Sequence, residues 1–172
     1  LEELYASDSI KVPQPIAHGI AGNECYFVMS WLEMTGQPNA ELFGRKMAEL
    51  HRHRHDRFGF YIDNTIGSTP QANSWSDDWV EFFREQRLGF QLRLAADNGF
   101  TGSLQDDGAR LMKRMGVFFG DYVPDASLLH GDLWGGNWAS CGGEPVIFDP
   151  AVYFGDRESD LVMTRLFGGF GR

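Results

Sequence analysis

Apolar residues in this chain fall into short continuous runs bounded by turn residues and longer stretches at helical spacing. They give a strand-rich beginning, a helical middle and a second region of short strands. Residues 1–6 read as the last turns of a helix that exits through Ser7-Asp8-Ser9. Pro13 and Pro15 keep their predecessors extended, so residues 15–19 and 25–29, joined across Gly22-Asn23, predict a hairpin. Two strands alone are marginal in water, so the hairpin is expected to belong to a larger sheet that this sequence lacks. After residues 30–34 the pattern is broken at Gly36 and Pro38. From Ala40 the repeat of Phe43, Met47 and Leu50 predicts a helix continuing through residues 51–55. Residues 58–78 read as one long loop, and the flanking Phe58, Phe60, Tyr61 and Trp75 predict that it packs down near a site. Ser76 is the expected cap of the next helix, with Asp77 and Asp78 in its first turn and a staple between Trp75 and Val80. Trp79, Phe83, Phe90 and Leu94 share one face of it. A further helix opening at Ser103 carries the stripe Leu111, Met115, Phe118, Phe119 and Tyr122. Beyond these two helices the chain reads as short strands and turns up to Asp149, then a last helix capped by Asp156 and ending near Phe167. The fold class is α+β.

Composition narrows the partners. The 172 residues are 42% hydrophobic, enough to bury a core of one domain. A net charge of −9 and a pI near 4.9 argue against wide contact with a phosphate backbone, so no nucleic acid is expected. There is no run of about 18 apolar residues and no basic leader, so neither a membrane partner nor a secretion signal is expected, and the setting is read as cytoplasmic. Cys25 and Cys141 are too few for a zinc site or disulfide framework. Cys25 reads as a small core residue, and Cys141 as part of a turn before Gly142-Gly143. Of the histidines at 51, 53 and 55, residues two apart on a helix point roughly 200° away from each other. Only His51 and His55 could then share a ligand, and a solvated helix end with a buried His51 is the preferred reading.

The chemistry concentrates in Leu128-Leu129-His130-Gly131-Asp132-Leu133-Trp134-Gly135-Gly136-Asn137 and in Val146-Ile147-Phe148-Asp149-Pro150. Phosphoryl transfer needs a carboxylate near the attacking hydroxyl and hard oxygen ligands for Mg²⁺. Asp132 supplies the first, and Asn137 and Asp149 the second. The interval from Asp132 to Asn137 matches a kinase catalytic loop, with Asp149 placed after an apolar strand where a metal-binding aspartate stands.

The surrounding phrases narrow this further. His130-Gly-Asp-Leu-Trp-Gly-Gly-Asn137, Ile147-Phe-Asp-Pro-Ala-Val-Tyr-Phe-Gly-Asp-Arg-Glu-Ser-Asp-Leu161, Phe167-Gly-Gly-Phe170, Gly67-Ser-Thr-Pro-Gln71 and the Trp75 to Phe83 aromatics resemble the fructosamine-3-kinase, or ketosamine kinase, family over nearly the whole chain. The resemblance implies a bilobal protein-kinase-like fold and ATP-dependent phosphorylation of the 3-hydroxyl of a sugar joined to an amine, a step in protein deglycation. It implies Asp132 as catalytic base, Asn137 and Asp149 as Mg²⁺ ligands, and Met29, Ser30, Trp31 and Leu32 as the adenine-binding hinge. His130 is read as a brace for the loop. Trp134 is a candidate for stacking on the sugar, with a core role equally open. Asp160 is read as structural, either bonded to backbone in the catalytic turn or favourably placed in its own helix.

The family's glycine-rich loop, strand lysine and partnering glutamate are not found here, since Lys11 and Lys46 sit in other contexts. The expectation is a piece of a longer protein: residues 1–32 as a remnant hairpin of the nucleotide lobe and its hinge, 33–172 as the helical catalytic lobe. By itself it would be poorly active. Alternatives are an aminoglycoside- or choline-type phosphotransferase and a non-catalytic pseudokinase. Metal-dependent hydrolysis fails on the spacing of the acids and histidines.

Overall fold

The computed structural model describes residues 1–37 and 39–169; the pattern break assigned to Pro38 and the Phe170 end of the Phe-Gly-Gly-Phe phrase lie outside them. The chain opens with helix α1 (Glu2–Ser7), closed by Asp8 at a left-handed φ of 51°. The antiparallel hairpin of β1 (Pro15–Ala21) and β2 (Glu24–Met29) follows, turning at Gly22-Asn23 as predicted. All six residues of β2 are exposed, so Cys25 is a surface thiol rather than the expected core residue. The physical reason is that among the described residues this hairpin has no third strand or packed layer to cover it.

Helix α2 (Ala40–Leu50) starts at Asn39, whose side chain accepts from the Leu42 amide, and buries Phe43, Met47 and Leu50 on one face. It stops at Leu50, short of the predicted end. The chain then enters the short strand β3 (Arg54–His55), whose pairing with a later strand competes successfully with continuation of the helix. The presumed loop 58–78 holds a second small hairpin, β4 (Asn64–Ile66) with β5 (Thr69–Gln71). Its strands are too short and too polar to register as an alternating pattern.

Asp78, not Ser76, caps α3 (Trp79–Phe82) by accepting from the Glu81 amide, while the Ser76 hydroxyl bonds within the turn before it. The helix widens into π-type turns at Phe83–Leu88 before α4 (Gly89–Asp97). Phe82 is buried beside Trp79, while Phe83 packs against the same core half-buried and Phe90, past the wider turns, is half-buried as well. Helix α5 (Ser103–Arg114) passes into a tighter 3₁₀ turn at Met115–Phe118. Of the predicted stripe only Met115 is buried; Leu111, Phe118 and Tyr122 are exposed.

The last third supplies β6 (Ala126–Leu129), the hairpin of β7 (Trp138–Cys141) and β8 (Glu144–Ile147), β9 (Tyr153–Gly155) and α6 (Glu158–Met163), the last followed by a short 3₁₀ turn at Leu166–Gly168. Strand β6 lies between β3 and β9 in an antiparallel sheet, and every residue of β6 and β9 is buried. Leu4, Ile10, Leu50, Phe82, Leu129, Leu133 and Ile147 meet in one core beneath this sheet. Burial of each such side chain contributes about 1.5–3 kcal/mol. The β7–β8 hairpin is tied to the first third of the chain by the Ile147 amide on the Lys11 carbonyl (3.0 Å) and the Gly142 amide on the Thr35 carbonyl (2.9 Å). The architecture is α+β, as expected. No described helix is long and apolar enough to cross a membrane.

Candidate active site

Asp132 and Asp149 leave the ends of two buried strands and are joined by one amide group. Asn137 Nδ2 donates to Asp132 Oδ2 at 3.0 Å, to the Asp132 carbonyl at 2.9 Å and to the Asp149 carbonyl at 3.3 Å. The Phe148 amide returns to the Asn137 carbonyl at 3.1 Å. With its nitrogen turned inward, Asn137 presents Oδ1 on the other side, and Asp149 is solvent-exposed. Asp149 itself sits at a left-handed φ of 52°, a conformation aspartate tolerates better than bulkier residues. A carboxylate and an amide oxygen are hard oxygen donors of the kind Mg²⁺ takes when it shares its shell with phosphate and water, and Asn137 and Asp149 could supply them.

The turn carrying Asp132 is braced from beneath. His130, fully buried, donates through Nε2 to the Phe148 carbonyl (2.9 Å) and accepts the Asp132 amide at Nδ1 (3.2 Å). Those partners fix the tautomer, and burial pushes its pKa down, which favours the neutral imidazole they require. Asp160, at 0% exposure, accepts the His130 amide on Oδ2 (2.9 Å), the Gly131 amide on Oδ1 (2.9 Å) and His51 Nε2 on Oδ2 (3.0 Å). A buried carboxylate is tolerated because its oxygens are so fully bonded. Gly131 has φ 81°, and a Cβ there would lie 2.0 Å from the Ala151 carbonyl oxygen, so no other residue fits the turn. Burial raises the pKa of Asp132, against the opposing pull of His130 and the Asn137 hydrogen bond. A carboxyl raised in this way is a better proton acceptor than a fully solvated one.

A second polar cluster holds the segment after Asp149. Gln71 Nε2 donates to the Ala151 carbonyl (3.0 Å) and Asn64 Nδ2 to the Val152 carbonyl (2.7 Å). Asn73 bonds Asn64 and receives Arg87, whose guanidinium also lies 4.2 Å from the Tyr153 ring centroid and 4.6 Å from that of Phe82. The segment 58–78 therefore reaches the site as predicted, though through a hairpin. Its amides carried no sequence signal beyond turn composition.

Among the predicted residues, Asp132, Asn137 and Asp149 converge. Trp134 is half-buried two residues past Asp132, its ring edge-on to Phe167 at 5.4 Å. Met29 ends β2, and Trp31 is 86% exposed. Ser30 and Leu32 line a cleft of about 680 Å³ with Val12, Lys46 and Glu144. The histidines do not gather. His51 bonds Asp160, His53 bonds Ser9 (2.9 Å), and His55 stacks on Trp75 at 4.2 Å; no metal-binding group of His, Cys, Asp and Glu occurs among the described residues. Asp156 accepts the Glu158 amide at the start of α6, close to its expected role as a cap, and also the Tyr122 hydroxyl. The coupling of His51 to Asp160 was invisible in the sequence, because 109 residues separate them.

A model of the fructosamine kinase family matches residues 1–172. A Synechocystis protein bearing the name ketoamine kinase is 46% identical over 99% of this chain and 58% of its own length. The chloroplastic protein-ribulosamine 3-kinase of Arabidopsis thaliana is 43% identical over 99% of this chain and 54% of its own. In a crystal structure of a Haemophilus somnus protein described as a fructosamine-3-kinase, the fold matches with a TM-score of 0.88 at 28% identity, covering 99% of this chain and 58% of that one. The chain thus spans a little over half the length of the relatives it matches.

Proposed function

The chain belongs to the fructosamine kinase family, and from that premise we propose that it is the catalytic part of an ATP-dependent kinase that phosphorylates the 3-hydroxyl of ketosamines, sugar-amine adducts of the fructosamine and ribulosamine kind. The observation that carries this reading is the Asn137 amide holding Asp132 and Asp149 together. Asp132 is the base that takes the hydroxyl proton. Asn137 Oδ1 and the Asp149 carboxylate would hold Mg²⁺, and Met29, Ser30, Trp31 and Leu32 would form the hinge against adenine. When bound, Mg²⁺ and ATP supply the phosphoryl group and neutralise its charge. The sugar oxygen bonds to the γ-phosphorus, the bridging bond to ADP breaks, and the proton passes to Asp132. Trp134 is placed to stack on the sugar ring. His130, Asp160 and His51 hold Asp132 in place and touch no reactant.

In this reading residues 1–32 belong to the nucleotide lobe of a protein-kinase-like fold and 33–172 to the catalytic lobe, with a longer protein supplying the remainder. Its setting is cytoplasmic, and its product is an adduct primed to release the amine. The test is transfer of phosphate from Mg-ATP to a ribulosamine or fructosamine by the longer protein, followed by mass spectrometry. The expected result is a singly phosphorylated ketosamine, with kcat reduced about 10²- to 10⁴-fold by Asp132→Asn. The base must be ionised, so kcat also falls as pH drops through the raised pKa of Asp132. Unchanged turnover in Asp132→Asn would sink the assignment.

A further inference from the structure

A cavity of about 690 Å³ opens beside the turn that carries Asp132, with Gly131 in its wall. This is the size range of small-molecule sites. Aromatic residues recur in its lining: Phe83, Phe90, Phe118 and Tyr122 contribute rings that are half-buried or exposed rather than sealed in the core. Two carboxylates, Asp156 and Glu158, stand in the same wall. Its one basic lining residue among those described, Arg87, is committed to the Ala72 carbonyl, Asn73 Oδ1 and the faces of Phe82 and Tyr153.

Ring faces present negative charge density to a cation, and carboxylates in a partly desolvated wall do the same more strongly. A cavity of aromatic rings and acids, with its cation already engaged, suits an organic ammonium bearing an apolar substituent and disfavours anions. A ketosamine carries such a group: a protonated secondary amine next to the sugar.

We propose that this cavity receives the amine-linked half of the substrate, so that the enzyme selects ketosamines whose amine bears an apolar or aromatic substituent. The proposal rests on the kinase reading above for the identity of the ligand. The protonated amine lies towards Asp156 and Glu158, and its substituent packs on Phe83, Phe90 and Phe118. An adduct of glycine would bring its carboxylate towards the same acids and bind less well.

The experiment uses ribulose adducts of glycine, n-butylamine and benzylamine with the longer kinase. From the glycine to the benzylamine adduct KM should fall about tenfold or more. Phe118→Ala, at an exposed position that the fold does not depend on, and Phe83→Ala should each shrink that ratio about threefold or more. Benzylammonium alone should quench tryptophan fluorescence saturably and compete with the ketosamine but not with ATP. Equal KM values along the series, or a ratio unmoved in both variants, would overturn the proposal. Absence of turnover with every adduct would sink the kinase reading instead, and the benzylammonium titration would still decide whether the cavity binds an ammonium: no saturable quenching would end that claim as well.

Discussion

The hairpin of β1 and β2 and the turn around Asp132 are held by opposite means. In the hairpin each residue pairs with one a few positions away across Gly22-Asn23, and its side chains, Ile20 and Phe27 among them, stay exposed. In the turn, local bonds such as Asp132 to His130 and Asn137 to Asp132 are joined by ones that reach far along the chain: Asp160 to His130, His130 to Phe148 and, just behind it, Gln71 to Ala151. Local pairing makes an element without making it stable. Long-range polar bonds made in a buried setting fix atoms to a few tenths of an ångström, which proton transfer demands and a connecting hairpin does not.

The contrast can be tested by breaking each side. The largest effect is expected from Asp160→Ala, which strands the buried amides of His130 and Gly131 and the ring of His51. Loss of one partner from a buried charged network costs about 3–5 kcal/mol. Urea unfolding should show that loss, and kcat should fall with it; a change under about 1 kcal/mol would mean the turn holds itself.

Acidification should produce a smaller effect. The pKa of His130 is lowered in the folded state, so the unfolded chain binds the proton more readily. The stability this group contributes is complete above its ordinary value of 6.5 and is lost as pH falls below it, by up to about 1.4 kcal/mol per pH unit. Asp132 has a raised pKa and acts with the opposite sign at lower pH. A His130→Gln variant isolates the imidazole: the stability gap between wild type and variant should narrow from pH 7 to pH 5, and parallel curves would refute it. The smallest effect is expected in the hairpin, where Ile20→Thr, at 75% exposure, should change unfolding stability by no more than about 0.5 kcal/mol.

Legibility in the sequence followed the same division. The hairpin, α2, α5 and the strand-and-turn character of the last third all carry local signals, and each is present. That Asp132, Asn137 and Asp149 would come together in one candidate site was legible because the phosphoryl-transfer chemistry they suggest sets their spacing within one short stretch. Errors arose where a distant partner or a changed helical pitch decided the outcome. Pairing of Arg54 with Ser127 ends the helix at Leu50, and the 3₁₀ turn at Met115–Phe118 leaves Phe118 exposed where the stripe of α5 would have continued. The amides of Asn64 and Gln71 look like ordinary loop residues until their carbonyl partners, 88 and 80 residues on, are in place.

The carboxylate of Asp160 also sets the order of assembly. It closes contacts 30 residues back to His130 and 109 residues back to His51, so until α6 has been synthesised and docked the amides of His130 and Gly131 lack their acceptor. During translation at roughly 5–20 residues per second, β6 emerges well before its anchor does. The site is therefore among the last parts of the chain to become rigid. A nascent or truncated chain that stops before residue 160 would pair its strands yet carry Asp132 on a loose turn.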